Sequence, residues 1–294
     1  MDDNFQQMDY CLPKGKDFLI WLSHDVDRTK KSFWHYMYYS MVHKDLYEIK
    51  PLFSNDNPYW NFYSTMNLEN KYGAKSTFFF LNESLKINVL NPKSLILSKG
   101  RYNINSREIK SIIREIDSSG WEIGLHGSYL SYDDVKLLQK EKIVLEEIVG
   151  HTVNGVRQHY LNINIPKTWK IQESIGLKYD STFGLKNNVG VHPEYIKPFK
   201  PFKRSKFIVF PLVIMDGYLS NVSNSEEEAM KIVDELIKVC KSKKAILSVL
   251  WHNRSLNKQE FPFYWNLYEY ILKTASAEKG EFILPMDIIM LSND

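Results

Sequence analysis

Apolar runs typical of buried β-strands alternate with helical segments along most of this chain. Such alternation favours the α/β class, in which helices cover a mainly parallel sheet. We therefore expect a parallel sheet that closes, or nearly closes, into a distorted (β/α) barrel. The predicted strands are residues 20–27, 76–81, 121–125, 155–160, 177–181, 207–214 and 245–251, followed by a strand or strand-helix pair at 281–289. The predicted helices are residues 28–50, 60–72, 107–118, 131–148, 169–175 and 225–240.

The chain is expected to form a single domain. Its 294 residues suit one large α/β unit, and no Gly-, Ser- or Pro-rich linker divides them. Residues 1–294 are therefore treated as one domain, in which 28–74 form an inserted helical and aromatic connection. A hydrophobic content of 44% allows a full core. The net charge of +3 is spread among acidic residues, which does not indicate a nucleic-acid partner.

The cysteine content and the absence of long apolar runs predict a cytoplasmic protein. Cys11 and Cys240 are the two cysteines, and their spacing matches no zinc finger. Residues 1–16 have no apolar stretch typical of a secretory signal. No run approaches the roughly 18 apolar residues that a membrane span needs. The sequence leaves the oligomeric state open.

Two aspartates at the end of the first predicted strand are the first chemical signal in this sequence. Side chains alternate along a strand, so Asp25 and Asp27 share one side, whereas His24 faces the other. Close carboxylates repel each other unless water, a cation or a proton offsets their charge. The pair therefore suggests one metal ligand and one general base, as in a water-activating hydrolase. Capping aspartates at the start of a solvated loop are the alternative.

Other chemically competent side chains also fall at or just after predicted strand ends. In parallel barrels, catalytic groups lie at the carboxyl ends of the strands, because those ends meet at one mouth. Independent surface residues would have no reason to share these positions. The residues are Asp25, Asp27, His126, His159, Asp216 and His252.

Five motifs in order resemble the polysaccharide deacetylase family, the carbohydrate esterases with a NodB-like domain. They are Ser-His-Asp-Val-Asp at 23–27, His-Gly-Ser-Tyr at 126–129, Arg-Gln-His-Tyr at 157–160, Met-Asp-Gly at 215–217 and Leu-Trp-His at 250–252. The chain is similar to a bacterial subgroup with His-Asp-Val-Asp and Arg-Gln-His-Tyr motifs, which is associated with surface-polysaccharide or O-antigen biosynthesis. The resemblance covers about residues 19–254 and implies an incomplete barrel of the NodB type.

The resemblance also implies a role for each matching residue. Asp25 matches the base that takes a proton from the attacking water, and Arg157 matches the arginine that orients this base. His252 matches the general acid for the leaving amine, and Asp216 matches the carboxylate that tunes it. Asp27 and His126 match metal ligands. Tyr160 lies where the family places a backbone amide and an aromatic side chain near the oxyanion.

One metal ligand of the family pattern is missing from its usual place. The family places a second histidine four residues after the first, but Leu130 occupies that position here. His159 stands where the family commonly has proline. We therefore expect Asp27, His126 and His159 to form the metal triad, with zinc as the default ion and Co²⁺, Ni²⁺, Fe²⁺ or Mn²⁺ as alternatives.

The function predicted from the sequence is metal-dependent removal of an N-acetyl group from a sugar or sugar-linked substrate, such as a cytoplasmic precursor of a surface polysaccharide. Among the aromatic residues, Trp169 and Trp251 are assigned to substrate contacts together with Tyr160. Two alternatives stay open. The first is a degenerate deacetylase that binds a saccharide or a protein partner without turnover. The second is an amidohydrolase that acts on a small non-sugar amide.

Overall fold

The computed structural model describes residues 5–31, 57–83, 101–184, 195–258 and 260–291, together with residues 33, 36, 37, 40, 41, 44 and 90. Much of the predicted connection at 28–74, including most of the helix predicted at 28–50, lies outside the described residues.

One mixed sheet forms the centre of the described structure. Its strands are β1 (Gln6–Gln7), β2 (Phe18–Val26), β3 (Ser76–Leu81), β4 (Glu122–Gly127), β5 (Gly155–Gln158), β6 (Tyr179–Asp180), β7 (Phe199–Lys200), β8 (Ile208–Val209), β9 (Ile214–Met215), β10 (Ile246–Leu250) and β11 (Gly280–Phe282). Their order is β1-β7-β8-β6-β5-β4-β3-β2-β10-β9, and β11 pairs with the start of β2. All pairs are parallel except β1 with β7 and β7 with β8.

The segment from β8 to β9 spans the opening between the two sides of the sheet. Near its start, the Phe210 amide donates to the carbonyl of Asp180, the last residue of β6, and near its end the Val213 amide donates to the carbonyl of Ser248 in β10. Pro211 lies between them and has no amide proton for a ladder. The single strand predicted at 207–214 is therefore wrong, because its two ends pair with different neighbours. The result is an open, incomplete (β/α) barrel, as the α/β prediction expected.

Helices cover the outside of this sheet. They are α1 (Phe62–Lys71), α2 (Arg107–Ser118), α3 (Val135–Val149), α4 (Lys167–Ser174), α5 (Asp216–Val222), α6 (Glu226–Lys243), α7 (Tyr264–Ala277) and α8 (Pro285–Leu291). Short 3₁₀ turns occupy Ser131–Asp133, His159–Leu161 and Asn253–Leu256. None of the helices described is both long and apolar enough to cross a membrane.

Helix α2 shows how local sequence produces this layer. Ile109, Ile112, Ile113 and Ile116 recur at helical spacing, so they form one face, and all four are buried. Burying each side chain contributes roughly 1.5–3 kcal/mol before conformational entropy is counted. Ser106 caps the helix by accepting a hydrogen bond from the Ile109 amide.

Two predicted elements end earlier or begin later than expected. The helix predicted at 131–148 starts as a 3₁₀ turn, and α3 begins only after Asp134, whose carboxylate caps it. The strand predicted at 155–160 ends at Gln158, because the backbone enters a left-handed turn at Tyr160, where φ is +58°. Both differences lie beside the candidate site described below.

Strand β2 divides the core between its two faces. Phe18, Ile20 and Leu22 pack outward into the cluster that contains α6 and α7. Leu19 and Trp21 point into the barrel. Alternation therefore carries Ser23, Asp25 and Asp27 along the inner face towards the barrel mouth, and it carries His24 along the outer face.

Candidate active site

Strands β2 and β5 bring Asp25 against Arg157 at the mouth of the barrel. Arg157 is fully buried and lies above the Phe79 ring, at 4.5 Å from its centroid. Its Nη1 donates to Asp25 Oδ1 and to Ser23 Oγ, both at 2.9 Å. Its Nε and Nη2 donate to the carbonyl and hydroxyl oxygens of Ser181. These bonds fix the guanidinium, which in turn fixes one oxygen of Asp25.

Asp27, His126 and His159 meet beside this pair. Asp27 Oδ1 lies 3.0 Å from His126 Nε2 and 3.6 Å from His159 Nε2. One donor atom from each of the three residues lies within 4.8 Å of the others. One carboxylate and two imidazoles form a donor set that suits zinc and other divalent transition metals.

The surroundings of the two imidazoles also fit metal binding. His126 Nδ1 donates to the Arg157 carbonyl at 2.8 Å, which leaves Nε2 directed at Asp27. A metal-binding histidine usually has such a partner on its other nitrogen. His159 Nδ1 is buried and makes no hydrogen bond with the part of the chain that the structure describes. The nearest carboxylate, Glu83 Oε2, lies 3.9 Å from it.

His252 reaches the same space from the end of β10. Its Nδ1 lies 2.8 Å from Asp216 Oδ1, at the start of α5, and its backbone amide donates to Asp216 Oδ2 at 3.0 Å. Its Nε2 lies 3.6 Å from Asp27 Oδ2. The bond to Asp216 therefore directs the other ring nitrogen towards the triad.

The electrostatics of these residues follow from their burial and proximity. Burial disfavours the imidazolium form, but Asp216, together with Asp27 and Asp25, outweighs this effect and raises the pKa of His252 to about 9. Burial alone would raise the pKa of Asp216, yet its bonds to His252 lower that pKa to about 2. Burial alone would also raise the pKa of Asp27. The nearby His159, His126 and His252 outweigh burial and hold this pKa well below its usual value. Near neutral pH, His252 is therefore protonated and both aspartates are ionised.

Two loops of different geometry complete the site. Residues 128–130, called the β4 loop, are held by buried carboxylates: Glu141 accepts from the amide and hydroxyl of Ser128, and Glu83 accepts from the Tyr129 amide at 2.9 Å. Leu130 in this loop is 47% exposed. Residues 159–161, called the β5 turn, have positive φ at Tyr160 and Leu161.

Glu83 and Glu141 were missed by the sequence reasoning. Glu83 carries a signal that could have found it, since it follows the last residue of β3 by two positions, like the other strand-end residues. Glu141 carries none, because it lies on α3 and reaches Ser128 only through the fold.

The structure corrects the assignment of the two tryptophans to substrate contacts. Trp251 is fully buried on the outer side of the sheet, against Tyr264 and Tyr268. It neighbours His252 in an extended segment, so it faces the other way. Trp169 is also fully buried, and its ring packs against other aromatic rings of the core. Tyr160 is 52% exposed and remains available to a ligand.

Comparison with solved structures identifies relatives of the fold. A Mycobacterium smegmatis protein assigned as a polysaccharide deacetylase matches with a TM-score of 0.64 and 15% identity, over 98% of this chain and 94% of its own. A Pseudomonas aeruginosa protein with the same assignment matches at 0.62 and 16%, over 95% and 92%. Puue allantoinase matches at 0.62 and 15%, over 95% and 91%.

No protein-family model matches this chain, and no curated protein sequence does either. At identities of 15–16%, the structural likeness establishes the fold and not the activity. The chain therefore has the open (β/α) barrel that is also found in the proteins assigned as polysaccharide deacetylases and in an allantoinase.

Proposed function

We propose that this protein is a metal-dependent hydrolase that cleaves an amide bond, and that the bond is the N-acetyl linkage of a sugar. One observation carries the proposal: a metal-type triad, an arginine-paired carboxylate and a carboxylate-paired histidine converge at one barrel mouth. A structural role for any one of these groups would not bring all of them together. Amide hydrolysis requires this combination, because the water must be activated and the amine must be protonated as it leaves.

Asp27, His126 and His159 are the residues that would hold the cation. Their donor set favours zinc, and it also suits Co²⁺, Ni²⁺, Fe²⁺ and Mn²⁺. When bound, the cation supplies polarisation of the substrate carbonyl and a water acidic enough to attack at neutral pH.

Asp25 is the proposed general base. Arg157 holds its Oδ1, whereas its Oδ2 lies 3.7 Å from His126 Nε2 and faces the triad. The contact with Arg157 fixes the carboxyl group, so Oδ2 is placed to accept the proton of the attacking water.

His252 is the proposed general acid. Its raised pKa, about 9, keeps Nε2 protonated at neutral pH, and Asp216 fixes the direction of that proton. An amine is a poor leaving group unless it gains a proton, so a proton donor beside the triad suits amide cleavage. Asp216 acts as the orienting partner.

The proposed sugar substrate is supported by the exposed Tyr160. Its ring lies 5.7 Å from the Tyr129 ring, and aromatic faces at a site mouth are suited to sugar rings. The link to surface-polysaccharide precursors and the cytoplasmic location remain predictions.

A hydrolase of a small non-sugar amide is the second candidate. The burial of Trp169 and Trp251 removes two aromatic faces that the sequence assigned to sugar binding. Puue allantoinase, whose substrate is not a sugar, has the same fold with a TM-score of 0.62.

The test combines metal content with product release. After exposure to zinc and removal of excess ion, elemental analysis should show near-stoichiometric metal. Acetate release is then measured on N-acetylated monosaccharides, oligosaccharides and nucleotide-linked sugars, and amide cleavage is measured on allantoin and small formamides. Sugar turnover supports the first candidate, and turnover confined to small amides supports the second. A metal-loaded protein that cleaves none of them supports a non-catalytic binder.

Asp25→Asn is the matched control. It keeps the size of the side chain and the contact with Arg157, so metal content should be unchanged. Turnover should fall by roughly 10²- to 10⁴-fold, the usual contribution of a general base. Activity that survives this change would contradict the assigned base.

A further inference from the structure

His24 lies on the side of β2 opposite the proposed site, and it is completely buried. Its Nδ1 is 2.9 Å from the carbonyl oxygen of Trp251. Its Nε2 is 2.7 Å from Glu69 Oε1, on α1. The ring thus connects a helix carboxylate with the residue that precedes His252.

Four polar groups surround the Glu69 carboxylate. Tyr268 and His24 approach Oε1, while Ser76 Oγ and Trp121 Nε1 donate to Oε2, all at 2.5–2.8 Å. Full burial without such donors would make a carboxylate charge very costly. His24 Nδ1 donates to the Trp251 carbonyl, since a carbonyl oxygen can only accept, and Nε2 faces the Glu69 carboxylate. His24 and Glu69 therefore form a hydrogen-bonded pair within the core.

The peptide group between Trp251 and His252 is held at both ends. His24 Nδ1 donates to its carbonyl oxygen, and Asp216 Oδ2 accepts from its amide. The preceding amide, that of Trp251, donates to the Ser23 carbonyl at 2.9 Å. The His252 backbone is therefore fixed from inside the core before its side chain enters the site.

We propose that His24, held by Glu69, is a positioning residue that sets the backbone of His252 and hence the direction of its Nε2–H. An apolar side chain would fill this core layer without the cost of burying polar groups. The specific bond to the Trp251 carbonyl is what such an apolar side chain could not supply. This inference rests on the proposed role of His252 as general acid.

Two substitutions separate the bond to Trp251 from the rest of the network. The amide nitrogen of Asn replaces the Nδ1 position of a histidine ring, whereas that of Gln replaces the Nε2 position. His24→Asn therefore keeps a donor for the Trp251 carbonyl, and His24→Gln keeps a donor for Glu69. If either single variant fails to fold, the same pair is compared in the Glu69→Gln background, where the buried carboxyl group is replaced by an amide.

The first readout is the dependence on the leaving group. Hydrolysis of 4-nitrophenyl acetate needs no general acid, because nitrophenolate leaves without a proton. His24→Gln should lose roughly ten- to a hundredfold in kcat on the N-acetylated sugar and keep its esterase rate, since general acids contribute about 10²- to 10⁴-fold. His24→Asn should recover most of the amide activity. Tyr268→Phe, which removes another donor to Glu69, serves as the control and should leave the ratio of the two rates unchanged.

The second readout does not depend on any activity. In a crystal structure of His24→Gln, the ring of His252 should be displaced from Asp27 Oδ2 or should occupy two rotamers, whereas in His24→Asn it should keep its place. An unchanged His252 in His24→Gln, or equal loss of amide and ester hydrolysis with metal retained, would overturn the inference. If wild type cleaves neither substrate, the proposed function fails, and the crystal structures still decide whether His24 positions His252.

Discussion

The β4 loop and the β5 turn follow neighbouring strands at the same mouth of the barrel. Only the β5 turn contributes a residue, His159, to the proposed metal triad. In the β4 loop, two carboxylates hold the backbone, and the side chain of Leu130 is 47% exposed. In the β5 turn, positive φ at Tyr160 and Leu161 turns the chain back, so His159 is 7% exposed and faces Asp27. The direction of the backbone after each strand therefore decides which position can bind a metal.

The left-handed conformations of the β5 turn suit this interpretation. A residue other than glycine in such a conformation costs roughly 1–3 kcal/mol, and it persists where the surrounding structure fixes it. Outliers of this kind cluster at functional sites, and here two of them directly follow His159. The β4 loop shows no positive φ among its three residues.

The largest effect is expected from removing His126, the proposed metal ligand that belongs to neither loop. His126 lies within β4 itself, and its Nε2 is 3.0 Å from Asp27. His126→Ala should abolish stoichiometric metal binding, as measured by elemental analysis. Asp25→Asn, which leaves all three donors in place, is the control. Metal retained by His126→Ala would show that the triad is assigned wrongly.

The second prediction compares the two loops directly. His159→Ala should lower zinc affinity by more than roughly 100-fold, because loss of an outer-sphere partner alone already costs 10- to 100-fold. Adding Leu130→His should not restore binding, since residue 130 lies at an exposed position. Chelator competition measures both. Recovery in the double variant would mean that the β4 loop can supply the ligand after all.

The third prediction concerns the carboxylate between the two loops. Glu83 accepts from the Tyr129 amide and lies 3.9 Å from His159 Nδ1, so it is placed to orient the His159 ring once that ring binds a metal. Glu83→Gln keeps an acceptor for Tyr129 but removes the charge, and we expect zinc affinity to fall roughly tenfold. Glu141→Gln, on the far side of the β4 loop, should have a smaller effect. If both variants lost the same zinc affinity, the loss would come from disturbing the β4 loop and not from the orientation of His159.

The smallest expected effect is a change in how the free energy of unfolding depends on pH, and it comes from Glu141, which holds the β4 loop. Burial raises the pKa of Glu141 to about 7, despite its bonds from Ser128. Between pH 4.5 and 7 the folded state therefore holds a proton that the unfolded state has released, so the free energy of unfolding falls as pH rises through this window. The change is on the order of 3 kcal/mol at most.

Glu141→Gln should remove this part of the slope in urea unfolding measured across that window. Burial also raises the pKa of Glu122 to about 7, and its contribution cancels when the variant is compared with wild type. Glu147→Gln, an exposed position on the same helix, should leave the slope unchanged. Identical slopes in wild type and Glu141→Gln would contradict the raised pKa.

The elements predicted most accurately are those with strong local patterns. Strand β3 and helix α2 have the predicted bounds, because an apolar β-branched run and a helical isoleucine spacing are each sufficient to define an element. The segment 207–214 has an equally apolar pattern, yet it forms two short strands. Its pairing depends on β6 and β10, which are distant in the sequence.

The candidate site also combines features that the local sequence predicts with features that only the fold decides. The strand-end rule selected Asp25, Asp27, His126, His159, Asp216 and His252, and the structure brings them together at one mouth. Their roles remain predictions. The assignment of Trp169 and Trp251 to substrate contacts was wrong. An aromatic residue near a motif can lie on either face of the sheet, and only packing decides which face it takes. Alternation from His252 could have indicated the outward direction of Trp251.

The sequence by itself determined the alternation of strands and helices and the inner face of β2, since both follow from the periodicity of neighbouring residues. The tertiary structure alone decided that Glu83 approaches His159, that Glu69 holds His24, and that Leu130 is exposed. These contacts join residues between 45 and 76 positions apart, or they depend on the course of a loop. Local propensity carries no information on such distances, because they are set by how the whole sheet curls and packs.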